Sequence, residues 1–184
     1  MRRPVKAPTA SRARGAALVR RKGGILLDIS LGGQPQPNSV TFTDLKRSPL
    51  KVPWPLPDKV VHTAVVTHVL DFLAPGDVFR WFDELHRVMR PGGVAYFSGP
   101  YGGDESVGWL SDPAHRTRVV EATFAWLDPR TPLYAEHDQL ARPRPRPWHV
   151  LALARVPGTL GTISYNCTLQ AQGLAPKGRK KHAR

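Results

Sequence analysis

The chain is poor in cysteine: Cys167 is the only one in 184 residues, so no internal disulfide can form. No Cys/His cluster has zinc-ligand spacing, and no metal is expected. Acidic residues are missing from both ends. Residues 1–22 hold eight Lys/Arg and no Asp or Glu, and residues 171–184 hold five and none. No apolar run approaches the ~20 residues of a membrane span, and no secretory apolar core follows the basic start. These absences exclude a disulfide scaffold, a zinc module and a membrane partner, and make a reducing, cytoplasmic setting the simplest expectation.

What is present is charge, unevenly placed. The formal net charge is +13, and the two ends account for all of it, because residues 23–170 carry 14 Lys/Arg against 14 Asp/Glu. The expected organisation is a domain over residues 23–170 between two basic tails, 1–22 and 171–184, predicted to be disordered. Such tails bind polyanions through phosphates without reading sequence; a solvated tail is the plainer alternative. A transit peptide also fits an Arg-rich, acid-free start, but Pro4 and Pro8 oppose the amphipathic helix it needs.

Hydrophobic pattern places the elements. GGILLDI (23–29) reads as a buried strand, NSVTFTDL (38–45) as a second, and the strongly β-branched VVHTAVVTHVL (60–70) as a third. Between the last two, residues 48–58 hold four prolines and predict an extended loop. PGDVFRWFDELHRVM (75–89) predicts a helix with Val78, Phe82, Leu85 and Met89 on one face, stopped by Pro91-Gly92-Gly93. VAYFS (94–98) follows as a fourth strand, parallel to the third because a helix crosses between them. Residues 99–111 read as loop, 117–127 as a short helix, and 142–148 as an extended Arg-Pro run. Residues flanking Pro157-Gly158 read as a terminal antiparallel hairpin.

Several of these segments together resemble class I S-adenosylmethionine-dependent methyltransferases. The resemblance rests on the loop Pro53-Trp54-Pro55-Leu56-Pro57-Asp58, the strand end Thr67-His68-Val69-Leu70-Asp71-Phe72-Leu73, and the helix close Glu84-Leu85-His86-Arg87-Val88-Met89-Arg90-Pro91-Gly92-Gly93. It spans residues 25–98, with weaker echoes at 112–116 and 144–148. It implies an α/β fold: a reduced Rossmann-like, mostly parallel sheet with a terminal antiparallel hairpin, and S-adenosyl-L-methionine as cofactor at the carboxyl ends of the strands. In that reading Asp28 is the first-motif acid, with Ser30, Gly32 and Gly33 in its turn. Asp44 takes the ribose hydroxyls, Trp54 walls the adenine, and Thr67 and His68 lie near the methionine end. Tyr101, His115, Arg116 and Arg144 are the substrate candidates, and no catalytic base is assigned. Methyl transfer from a sulfonium needs alignment more than a base. The acceptor is a small molecule or a nucleic acid.

Two departures accompany the resemblance. Ser30 stands where the family carries its first glycine, and only Gln34-Pro35-Gln36-Pro37 separate Gly33 from the second strand, too few for a helical crossover. Hence a second reading: a catalytically inactive methyltransferase-fold protein serving as a nucleic-acid-binding or scaffold module. Plainer roles stand beside the functional ones. Asp28 can be a strand-end turn former, His68 a structural histidine, His86 a cap or surface residue, His115 part of a local Asp/His turn, and the arginines at 142, 144 and 146 a solvated edge.

Overall fold

The computed structural model describes residues 24–31, 34–43, 45, 47–103, 107–140, 143–158 and 161–173. Gly32, Gly33, Asp44, Arg142 and all of the two predicted tails except residues 171–173 lie outside them. Among the described residues six strands form one sheet: β1 (Ile25–Ser30), β2 (Val40–Thr41), β3 (Val61–Thr67), β4 (Met89–Pro100), β5 (Trp148–Pro157) and β6 (Ile163–Ala171). Their spatial order is β2-β1-β3-β4-β6-β5. The first four are parallel, while β6 runs antiparallel to both β4 and β5. The mostly parallel sheet and its terminal hairpin are therefore as expected, and β6 continues to Ala171, the first residue assigned to the C-terminal tail.

Register explains the core. Leu27, Ala64, Ala95 and Leu169 stand side by side across four strands, and Ile29, Val66, Phe97 and Cys167 form the next row. All eight are buried. Helix α1 (Val78–Val88) packs on this face, where the Phe82 ring lies 5.5 Å from Phe97 and 6.4 Å from both Phe124 and Trp148. Phe124 belongs to the short helix α3 (Glu121–Ala125). Each such ring removed from water contributes ~1.5–3 kcal/mol. The opposite face holds Val65, Tyr96, Ser98, Asn166 and Thr168 and is more open, with Tyr96 exposed.

Several expectations need correction. The second strand shrinks to Val40–Thr41, because the chain turns at once: Leu45 N–H reaches Thr41 O at 3.2 Å and Arg47 N–H reaches Phe42 O at 3.1 Å. The helix ends at Val88, ahead of the expected stop: Met89, expected on the helix face, is extended and opens β4, and Pro91-Gly92-Gly93 lies inside that strand as a bulge. Val61 pairs with Met89 before the register resumes at Thr63 and Val94, and Gly92 takes φ +79°, open to glycine at little cost. Two helices were not anticipated, α2 (Val107–Leu110) and α4 (Pro132–Gln139). The second begins at Thr131, whose Oγ1 accepts from Tyr134 N–H at 3.4 Å, followed by Pro132 in the first turn. Of residues 117–127 only 121–125 are helical, since Thr117 is drawn away by its Oγ1–H bond to Leu73 O at 2.6 Å. His86 is buried, not on the surface: its Nε2 bonds Gln172 O at 2.9 Å, and its ring meets Trp148 edge-on at 5.3 Å. No described helix is long and apolar enough to cross a membrane.

Candidate functional site

β1 delivers Asp28 and Ser30 to the carboxyl end of the sheet. Asp28 is only 4% exposed, and its carboxylate is held from two sides. Ser30 Oγ–H donates to Oδ1 at 2.6 Å, and Gln36 N–H donates to Oδ2 at 2.8 Å. Serine at the first-glycine position is thus a positioning group for Asp28. A carboxylate offers about four lone-pair sites, so roughly two remain for a ligand. Gln36 sits in the connection from β1 to β2. This parallel link contains no helix among its described residues, so the short spacing is met by a loop.

A cleft of about 280 Å³ opens beside this acid, lined in part by Asp28, Ser30, Thr41, Phe42, Arg47 and Pro49. It brings together the ends of β1 and β2 and the turn after β2, at the position where open α/β sheets bind ligands. Hydroxyls, one carboxylate, one guanidinium and one aromatic ring suit a ligand that carries hydroxyls, charge and a flat ring. An S-adenosyl group has these features, and the residues present fit it.

The structure treats the individual candidates unequally. Asp28 and Ser30 line the cleft, whereas Gly32, Gly33 and Asp44 lie outside the described residues. Trp54 is 3% exposed and sits behind the cleft, edge-on to Phe42 at 5.0 Å and to Trp81 at 5.4 Å. The ring that reaches the cleft is Phe42. Thr67 is one strand over; its carbonyl accepts from Leu31 N–H at 3.0 Å, and its hydroxyl meets Ser98 Oγ at 3.4 Å. His68 is exposed, has φ +53°, and donates its N–H to Ser98 O at 3.0 Å. Tyr101 is buried, donating its hydroxyl to Glu121 at 2.9 Å under the Arg155 guanidinium 4.4 Å from its ring. Arg116 is exposed. Arg144 is a forked ion pair with Asp138 and lies over Tyr134 at 5.6 Å, away from the cleft residues in sequence and partners. His115 is enclosed by Trp109, Phe72 and Asp71.

Thr41, Phe42, Arg47 and Pro49 are among the lining residues that sequence reasoning missed. A signal existed for Phe42, two positions before Asp44 in a segment read as strand. Pro49 is fixed from beneath, since Trp81 Nε1–H donates to its carbonyl at 2.8 Å. The proline loop is tied down by Glu84, which accepts from Trp54 N–H at 2.6 Å and from Arg87 at 2.7 and 2.9 Å. Burial pushes the Glu84 carboxyl up, but the Arg87 and Trp54 hydrogen bonds outweigh it and hold the group below the usual range. Among the described residues no group of three or more His, Cys, Asp or Glu could hold a metal.

Compared with known proteins, no family model and no curated protein matches the chain. Solved structures do match. The Burkholderia thailandensis 1,6-didemethyltoxoflavin-N1-methyltransferase, with bound S-adenosylhomocysteine, is similar at 16% identity and TM-score 0.51, over 90% of this chain and 79% of that one. The antibiotic-resistance methyltransferase Kmr is similar at 16% identity and TM-score 0.50, over 91% and 96%. The [4+2]-cyclase SpnF is similar at 14% identity and TM-score 0.51, over 88% and 79%. The chain has the fold of class I S-adenosylmethionine-dependent methyltransferases, a fold that also carries a cyclase.

Proposed function

We propose that the chain binds S-adenosyl-L-methionine in the cleft beside Asp28 and transfers its methyl group to an acceptor. The observation that carries this reading is the cleft itself, which lies at the carboxyl end of β1 in this fold and is lined by an oriented carboxylate, hydroxyls and the Phe42 ring. Asp28, Ser30 and Phe42 would hold the cofactor, together with Gly32, Gly33 and Asp44; Thr67 and His68 stand one strand away. When bound, the cofactor supplies an electrophilic methyl group. The protein's part is to orient it and to exclude water. No side chain is assigned as a base, and the acceptor class is a small molecule or a nucleic acid.

Calorimetric titration of the full chain with S-adenosylmethionine and S-adenosylhomocysteine tests this. Binding is expected, weakened by ~1–3 kcal/mol in Asp28→Asn, which loses a charged acceptor. Absence of heat and of any thermal shift at millimolar cofactor ends the enzyme reading. The scaffold reading then takes over. It is favoured by one observation: the described residues of the link between β1 and β2 include no helix, so they offer no helix N-terminus to an anionic group.

A further inference from the structure

Asp71 lies in the 3₁₀ turn Leu70–Phe72 just beyond β3 and is 0% exposed. Neither carboxyl oxygen makes a well-directed hydrogen bond among the described residues. His115 faces it, with Nε2 3.1 Å from Oδ2. The other ring nitrogen, Nδ1, is 2.8 Å from Trp109 O. A carbonyl only accepts, so Nδ1 carries a hydrogen. Nε2 and the carboxyl group therefore meet in a dry place, where two bare lone pairs would repel. One proton between them removes that conflict, whichever atom it sits on.

The pair does not stand alone. Backbone N–H groups of Arg116 and Thr117 donate to Asp71 O at 2.7 and 3.1 Å. Thr117 Oγ1–H bonds Leu73 O at 2.6 Å, and Trp109 Nε1–H bonds Thr117 O at 3.0 Å. His115 is held between Trp109, stacked at 6.1 Å, and the edge of Phe72 at 5.1 Å. His115, Arg116 and Thr117 are thereby held on the turn after β3, and Trp109 is tied to them. Besides His115, the charged or titratable groups facing Asp71 among the described residues are His68, Asp112 and the Tyr165 hydroxyl. Asp112 also reaches within 3.9 Å of His115 Nε2. Burial raises the Asp71 pKa, the direction that favours keeping a proton in the pair.

We propose that Asp71 and His115 form a one-proton latch that pins the segment Val107–Thr117 across the carboxyl end of the sheet and releases it when the shared proton is lost. Release comes as pH rises, because the group with the raised pKa favours the closed state in its protonated form. The latch is a property of the ligand-free chain. Its use as a control on ligand access rests on the proposed methyltransferase reading.

The test is amide hydrogen exchange of the full chain by NMR across a series from mildly acid to mildly alkaline pH, corrected for intrinsic rates. Protection of the Arg116 and Thr117 amides should fall severalfold as the pair loses its proton. The Trp148 amide, bonded to Leu127 O at 3.0 Å elsewhere, should not follow. Asp71→Asn donates an amide hydrogen to Nε2 at every pH, so its protection should stay flat. His115→Gln donates to the carboxylate at every pH and should be flat as well. Flat protection in the native chain, or the same fall in either variant, overturns the latch. Titration with S-adenosylhomocysteine across the same series separates the two ideas: a pH-dependent loop with no heat of binding keeps the latch and removes the methyltransferase reading.

Discussion

Glu84→Gln isolates one charge at the joint between α1 and the proline loop. The substitution keeps an oxygen to accept Trp54 N–H, but it replaces the acceptor of Arg87 Nε with a donor. Two charge-assisted bonds from Arg87, at 2.9 and 2.7 Å, are lost or weakened. Such bonds contribute ~1.5–3 kcal/mol each when shielded. Arg87 keeps Asp58 at 2.5 Å and is 22% exposed, so water and that second partner recover part of the loss. The expected cost is ~2–3 kcal/mol at pH 7, below the ~3–5 kcal/mol of stranding a fully buried partner. Because the folded carboxyl is held below its ordinary value, its contribution is present above the unfolded Glu pKa of ~4.3 and disappears as pH falls through the lower folded value. Once protonated, Glu84 is nearly isosteric with glutamine. Urea unfolding of both proteins at a series of pH values from ~7 to ~3 reads this directly. A gap under ~0.5 kcal/mol at pH 7, within the range of ordinary surface substitutions, or a gap that does not narrow in acid, refutes the reasoning.

Three further outcomes are expected. Phe82→Ala, which empties a site bounded by Trp81, Phe97, Phe124 and Trp148, should cost ~3–5 kcal/mol in denaturant unfolding. Burial pushes the Asp128 carboxyl up, but bonds from Arg130 and Val150 N–H hold it at about 2, so Asp128→Asn should lower the melting temperature at neutral pH, with the difference closing as pH falls from ~4 toward that value. The full chain should bind DNA or RNA with affinity that falls steeply with salt and ignores sequence. Deleting residues 1–22 and 174–184 should remove that binding in a fluorescence anisotropy series, and retention by the truncated chain would move the polyanion surface to the central domain.

The hydrophobic pattern alone determined the buried strands, the α1 stripe and the terminal hairpin, because burial on a sheet face or a helix stripe leaves a period in the chain. It also marked Asp28 and Ser30, since a strand ending in an acid before small residues is a local signature. What it did not determine is partnership across space. Whether Trp54 or Phe42 reaches the cleft depends on how the turn after the two-residue β2 folds back, and an alternating pattern cannot distinguish a strand from such a turn. Ser30, a departure from the family's first glycine, became a donor once it stood beside the Asp28 carboxylate that Gln36 N–H also holds. Asp71 and His115 lie 44 positions apart in the chain, and no spacing rule connects them. Only the packing of the loop after β4 against the turn after β3 brought His115 Nε2 to 3.1 Å from the buried Asp71 carboxyl.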